Sequence, residues 1–248
     1  MDSPVRLYWL DPRDPTQAFP EPRLAMEEPN GLLAIGGDLS VQRLIRAYSQ
    51  GIFPWYNPDE PILWWSPDPR VVFPLDERPA ARTLRREARR RDYAVTLDRA
   101  FDRVIQQCAA PRANQRGTWL GQEMQRAYRA MHAEGYAHSI EVWKHGQLIG
   151  GLYGLALGRA FFGESMFSAE SGGSKLAVYW LREQLKAWRF DIFDCQVGSD
   201  HLQLLGAEEW PRDQFVNRVH LAATRGHRRG PWQFEVPVPS HVAHGPSG

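Results

Sequence analysis

The sequence predicts a mixed α/β fold of the α+β class, with a central, mostly antiparallel sheet flanked by helices, and three observations predict it. Ser139 to Trp143, Leu148 to Leu157 and Ala160 to Met166 are strand-like runs joined by short connections, with a turn at His145-Gly146, and read as an antiparallel meander. Apolar residues at helical spacing recur before and after the meander. A glycine-containing loop, a helix and one more strand-like run, Phe190 to Val197, then follow in that order.

Composition bounds the class. At 248 residues, with 43% hydrophobic and 12% aromatic content, the chain suits one large or two ordinary domains with a packed core. The expected division is a small N-terminal domain over residues 1–70, a larger domain over 71–230 and a disordered tail over 231–248. The longest apolar run, Leu148 to Gly158, stops at Arg159, too short for a bilayer. The start, Met1-Asp2-Ser3-Pro4, has no basic region followed by an apolar one, so no membrane association and a cytoplasmic location are expected. Cys108 and Cys195 lack His or Cys neighbours at ligand spacing, which indicates neither a disulfide framework nor a metal. A net charge of only +1 means that nucleic-acid affinity needs a local basic patch.

The first 70 residues are rich in Pro, Gly and Trp. Glu28 to Ser40 reads as tight turns around a short apolar segment, after which Ser40 suits a helix N-cap for Val41, Leu44, Ile45 and Tyr48, with Gly51 as the stop. Gly51 to Pro58 and Pro61 to Arg70 hold Trp55, Trp64 and Trp65 among prolines that disfavour regular structure. Rigid aromatic loops suit binding, but a short domain also needs large side chains for its own core, and Trp64 and Trp65 read as core.

Residues 80–92 carry the basic patch as a helix with one cationic side. Arg82, Arg85, Arg86, Arg89 and Arg90 fall at i, i+3, i+4, i+7 and i+8, opposite Leu84 and Ala88. A merely solvated face mixes signs, whereas only Glu87 interrupts the arginines from Arg82 to Arg91, so the patch reads as phosphate-binding. Asp98 is placed to cap a helix with Phe101, Val104, Ile105 and Cys108 inward, and Gly117-Thr118-Trp119 introduces another carrying Leu120, Met124, Tyr128 and Met131, ending at Gly135. Glycines 150, 151, 154 and 158 thin one sheet face so that a ligand or another backbone approaches. Ser168 to Lys175 leads into a helix with the stripe Ala177, Trp180, Leu181, Leu185 and Trp188; its glycines suit an anion or a plain capped turn. A short helix from Asp200 to Leu205 ends at Gly206, and a polar tail starts at Gly230.

Two strands carry polar residues that need a reason. Phe161 to Ser168 puts Glu164 and two serines into an apolar run, and alternation puts Phe190, Ile192, Asp194 and Gln196 on one face. At about 3.3 Å per residue Asp194 and Gln196 stand roughly 7 Å apart, close enough to touch one substrate group. Burying them unpartnered costs several kcal/mol, so they line a pocket or form a structural network tying two strands.

Glu28 to Ser40, Gly51 to Trp55, Pro61 to Arg70, Gly117-Thr118-Trp119, His138 to Trp143, Gly163 to Ser168, Ser174-Lys175 and Asp194-Cys195-Gln196 together resemble the leucyl/phenylalanyl-tRNA protein transferase family, in matching order over about residues 19–219. The resemblance implies a C-terminal domain like that of the GNAT acyltransferases. It implies transfer of leucine or phenylalanine from Leu-tRNA or Phe-tRNA to the α-amino group of a protein's N-terminal Arg or Lys, marking that protein for degradation, with no cofactor and a monomeric enzyme. It implies Asp194, Gln196 and Glu164 as catalytic, and Trp55, Trp119, Tyr128, Leu152, Phe161, Ser174, Leu181, Leu185 and Phe193 as substrate-binding. Leu152, Leu181, Leu185 and Phe193 stand where relatives have Met, Phe or Ile, so an apolar pocket is kept while its Leu/Phe preference is open.

The chemistry asked of such a site is modest. The aminoacyl ester is already activated, and an α-amine with a pKa near 8 is partly neutral. The Gln196 carbonyl would orient that amine, with Asp194 polarising Gln196 or taking the proton through water, and Glu164 completing the network or pairing with the acceptor's side chain. The competing reading is a coenzyme A-dependent N-acetyltransferase, against which stand the missing Arg/Gln-x-x-Gly-x-Gly/Ala loop and the arginine face. A non-enzymatic RNA-binding module lacks its aromatic-basic strand motif.

Overall fold

Ser40 starts the first helix as its residue type demands, its hydroxyl accepting the Arg43 N–H at 3.3 Å. The computed structural model, which describes residues 7–90, 92–110 and 120–240, builds an N-terminal four-stranded sheet around that helix, α1 (Val41–Ser49). Its strands are β1 (Tyr8–Leu10), β2 (Leu32–Gly36), β3 (Phe53–Pro54) and β4 (Leu63–Trp65), in the order β1-β2-β4-β3 with only β1–β2 parallel. The prolines do not exclude strand here: Pro54 ends an edge strand, where its missing N–H is tolerated. Trp64 is fully buried and donates its indole N–H to the Gly36 carbonyl at 2.8 Å.

The large sheet has seven strands: β5 (Arg70–Phe73), β6 (Ala94–Leu97), β7 (Ala137–Lys144), β8 (Gln147–Leu157), β9 (Ala160–Ser168), β10 (Ile192–Gln196) and β11 (Glu208–Trp210). Their order is β11-β5-β10-β9-β8-β7-β6, antiparallel throughout except for β9–β10. A parallel pair needs a crossover, which α5 (Gly173–Ala187) supplies. One apolar cluster joins α5 and α2 (Arg82–Ala88) to one face of the sheet. The other face packs on α1, α3 (Phe101–Ala109), α4 (Gln122–Ala133) and α7 (Arg212–Ala223), leaving α6 (Asp200–Leu204) after β10. Residue 70, where the sequence suggests a division, opens β5, and residues from both sides of it share one core.

Three expectations change. The arginine helix stops at Ala88, so Arg89 is its C-cap and Arg90 lies beyond it. Asp98 does not cap α3, whose N-cap is Ala100; it adopts a left-handed φ of 52° and turns its carboxylate to the Ser139 N–H (2.8 Å), the His138 imidazole (2.7 Å) and the Trp232 N–H (2.6 Å). The tail expected to be disordered over 231–248 instead packs over residues 231–240, and residues 241–248 lie outside the described residues. Trp232 is buried and stacks on His138 with ring centroids 3.7 Å apart, while the Glu235 and Val236 N–H groups donate to Gln184 Oε1 at 2.8 and 3.1 Å. Composition concealed this because one large aromatic and a few backbone donors, matched to buried Asp98 and Gln184, are enough to order a polar segment.

The glycines of β8 face backbone rather than ligand. A Cβ on Gly150 would strike the backbone of Gly173, and one on Gly173 would strike the Ile149 carbonyl, so the start of α5 lies directly on the strand.

Candidate active site

The parallel pairing of β9 and β10 sets Asp194 beside Phe162, two residues from Glu164. Asp194 is fully buried, and Arg70 from β5 meets it with a two-pronged fork: Nε to Oδ1 at 2.8 Å and Nη2 to Oδ2 at 2.7 Å. The third arm of the guanidinium, Nη1, donates to the Gly51 carbonyl at 3.0 Å. Its flat faces meet the rings of Phe53 and Phe215, with centroids at 4.8 and 4.5 Å.

Alternation does not continue to Gln196. The β10–β5 register shifts between Asp194 and Gln196, and Gln196 takes a φ of 58°. This bulge folds Gln196 back on Asp194: its N–H donates to Oδ1 at 3.0 Å and its Nε2 to Oδ2 at 3.2 Å. Both carboxylate oxygens therefore accept two hydrogen bonds, and one N–H of the Gln196 amide is given to Asp194, while its carbonyl oxygen accepts no side-chain hydrogen bond among the described residues.

Glu164 is the opposite case. Oε2 accepts from the Tyr128 hydroxyl at 2.6 Å, and that hydroxyl lies 3.0 Å from the hydroxyl of Tyr48. Oε1 is enclosed and has no hydrogen-bond partner among the described residues. Burial raises the carboxyl to about 7, against the opposing influence of the Tyr128 hydroxyl and of the Tyr48 hydroxyl behind it, and with the Asp194 charge adding to the rise. One carboxylate of the site is thus saturated and paired, and the other is enclosed, has one oxygen without a partner among the described residues, and titrates near neutrality.

Glu164 and Gln196 line a common cavity of about 240 Å³. Its apolar wall is Phe73, Leu152, Met166, Val178, Phe193 and Leu202, and the Cys195 thiol, pushed well up by burial, also borders it. A larger cavity of about 610 Å³ adjoins across Met166 and is lined by Gln107, Ser168, Ser171, Ser174, Lys175 and His201 among others.

Family comparison decides what this arrangement belongs to. The profile described as leucyl/phenylalanyl-tRNA protein transferase matches residues 72–220, and that of the same family's N-terminal domain matches residues 37–68. The chain belongs to the leucyl/phenylalanyl-tRNA protein transferase family. It is 51% identical over 243 residues to the leucyl/phenylalanyl-tRNA-protein transferase of Alkalilimnicola ehrlichii, covering 96% of this chain and 94% of that one. It is similar to the proteins so named from Nitrosomonas europaea, at 52% over 222 residues (89% and 94% covered), and from Pseudomonas fluorescens strain SBW25, at 53% over 228 residues (91% and 99% covered). Membership makes the protein an aminoacyltransferase.

Of the residues the sequence pointed to in this leucyl/phenylalanyl-tRNA protein transferase family member, Glu164, Gln196, Leu152 and Phe193 meet at the smaller cavity. Phe161, Leu181 and Leu185 do not line it. They are buried in the layer behind, where the Phe161 ring sits edge-on against Phe193 with centroids 5.3 Å apart. Tyr128 is fully buried and serves Glu164. Ser174 lines the larger cavity, its N–H donating to Ser168 Oγ at 2.7 Å. Trp55 is exposed beside Trp65, with ring centroids 5.7 Å apart, and Trp119 lies outside the described residues. Arg82, Arg85, Arg86 and Arg89 are exposed. Arg90 is instead tied down by Glu87 (3.4 Å), Asp92 (3.2 Å) and the Ser171 carbonyl (3.2 Å), which fastens the end of the arginine segment to the rim of the larger cavity.

Sequence reasoning missed Arg70, Phe73, Met166, Val178, Leu202 and Tyr48. Val178 was within reach, since it precedes Leu181 and Leu185 by three and seven residues on the same helix. Arg70 carried no local signal, because its partner is 124 residues away. Among the described residues no helix is long and apolar enough to cross a membrane, and no group of three His, Cys, Asp or Glu side chains could hold a metal.

Proposed function

We propose that the protein transfers leucine or phenylalanine from aminoacyl-tRNA to the α-amino group of a protein's N-terminal Arg or Lys, forming a peptide bond and marking that protein for degradation. One observation carries the reading: an apolar cavity sized for a side chain is lined by Gln196 and Glu164, and among the described residues the Gln196 carbonyl oxygen takes no side-chain hydrogen bond and Glu164 Oε1 has no partner. In this reading the leucine or phenylalanine side chain occupies the cavity, which sets its ester carbonyl beside Gln196 and Glu164. The Gln196 carbonyl accepts an N–H of the incoming amine and aims its lone pair at the ester carbon. As the C–N bond forms, Glu164 takes the amine's proton. The C–O bond to the ribose then breaks with its electron pair on the ribose oxygen, to which Glu164 returns the proton.

Asp194 is assigned to hold Gln196 rather than to take the proton, because its oxygens are already filled by Arg70 and Gln196. The exposed arginines of a segment that Arg90 ties to Ser171 on the larger cavity's rim suit the phosphates of the tRNA acceptor end, and the β9–α5–β10 unit supports a GNAT-like reading of the sheet. The Arg or Lys acceptor rests on the family resemblance. Against a coenzyme A-dependent reading, the Glu87 carboxylate and the Arg90 guanidinium close on Gly172 where a pyrophosphate would need open backbone N–H groups.

The test offers labelled leucine as Leu-tRNA, with acetyl-CoA as a parallel donor, to a protein beginning with Arg and to the same protein beginning with Ala. Label should pass from Leu-tRNA to the Arg form only. Transfer from acetyl-CoA alone, or equal labelling of both acceptors, would refute the proposal.

A further inference from the structure

Glu164 is held from the far side by a residue of the N-terminal segment. Tyr48 lies on α1, is fully buried, and places its hydroxyl 3.0 Å from that of Tyr128 across 80 residues of sequence. A phenol has one hydrogen to give. The hydrogen of Tyr128 goes to Glu164 Oε2 at 2.6 Å, so when Glu164 is ionised Tyr48 must be the donor in the contact between the two hydroxyls. The Tyr48 ring is also fixed, edge-on against Phe162 with centroids 5.1 Å apart, two residues before Glu164 on β9.

The other groups facing Glu164 do not duplicate this hold. Tyr128 comes from α4 and is the relay itself. Tyr153 comes from β8, and its buried hydroxyl has no hydrogen-bond partner among the described residues. Asp194 from β10 and Arg70 from β5 are occupied with each other, and Gln196 is neutral and bonded to Asp194.

We infer that Tyr48 is a positioning residue for the transfer reaction: donating through Tyr128, it pins Glu164 Oε2 and leaves Oε1 as the oxygen presented to the substrate. A chain of hydrogen bonds polarises its members, so the Tyr128 phenol is a stronger donor to Glu164 while Tyr48 donates to it. The effect favours the ionised carboxylate, the form that accepts a proton. Since the same turn of chain supplies the Gly51 carbonyl to Arg70, the end of α1 braces both acidic residues of the site. The inference rests on Glu164 as the proton acceptor, and its test separates the two.

Tyr48→Phe keeps the ring and its packing and removes only the donor. The titration of Glu164, isolated by carbon-13 glutamate NMR as the difference between the parent and Glu164→Gln, should move upward by roughly 0.5 to 1 pH unit in Tyr48→Phe. In a Tyr128→Phe background, where the relay is already cut, adding Tyr48→Phe should move it no further. An unmoved midpoint, or the same movement without Tyr128, overturns the inference whatever the activity does. The acid limb of kcat/KM should follow the midpoint, lowering activity about three- to tenfold below the limb and less as pH rises. That limb should be lost in Glu164→Gln. If it persists there, Glu164 is not the proton acceptor, and the NMR midpoint still decides for or against Tyr48 as its holder.

Discussion

Replacing Arg70 with Met would expose how much of the site is scaffold. Arg70 and Asp194 are both fully buried, and the guanidinium makes two hydrogen bonds to the carboxylate and one to the Gly51 carbonyl. Met fills similar space between Phe53 and Phe215 but leaves Asp194 charged and unpaired. Breaking a buried pair by removing one partner costs about 3–5 kcal/mol. For a chain of this size, a loss of that order lowers Tm by roughly 6–20 °C. Asp194→Asn alone strands the guanidinium and should fall in the same range. The double variant Arg70→Met/Asp194→Asn removes both charges together, so it should recover at least half of the loss. Urea unfolding of the four proteins at one pH, fitted with a common slope, gives the coupling directly. Transfer kinetics of the double variant then isolate function: the fold returns, but Gln196 has lost its charged anchor, so kcat should stay well below the parent. A loss under about 1 kcal/mol for Arg70→Met, or a double variant equal to the sum of the single ones, would refute the buried-pair argument.

Three further outcomes follow from the same geometry. Reversing Arg85 and Arg89 to Glu should raise KM for aminoacyl-tRNA and flatten the dependence of log KM on log salt by roughly one to two units, whereas an unchanged slope would remove the phosphate assignment. Leu152→Trp, on the cavity wall, should suppress phenylalanine transfer more than leucine transfer, while Leu181→Ala, in the layer behind, should cost about 2–5 kcal/mol of stability and shift donor preference less; the two donors assayed in competition separate these. Trp232→Ala should cost about 3–5 kcal/mol in urea unfolding, and a loss near zero would return the tail to the disorder that composition suggests.

What was legible in the sequence was local. The meander, α3, α4, α5 and the capped start of α1 each announce themselves through periodicity or a cap residue, because their apolar faces and orphan backbone donors are satisfied within a few turns of chain. Glu164, Asp194 and Gln196 stood out as polar residues in apolar strands. Their roles were not legible, since Asp194 and Glu164 differ only in what lies opposite: Arg70 from β5 for one, two tyrosines from α1 and α4 for the other. The bulge at Gln196 was hidden because nothing in its residue type asks for a positive φ. The cavity wall was half legible, as Phe73, Met166 and Leu202 come from three elements whose meeting is a property of the whole sheet.

The bare contact of Gly150 with Gly173 bears on how such a pocket changes over time. Where a helix rests on a strand through side chains, any swap at the seam shifts the helix and everything it carries. Here the first turn of α5 is seated main chain to main chain, so the distance between helix and sheet is set by peptide dimensions and is independent of which residues fill the cavity. Mutations at Leu152, Val178 or Phe193 therefore alter the shape of the cavity while Ser174 stays in place. Under the proposed function, such a frame lets appetite for different amino acids drift among descendants of one ancestor without dismantling the machinery that joins them.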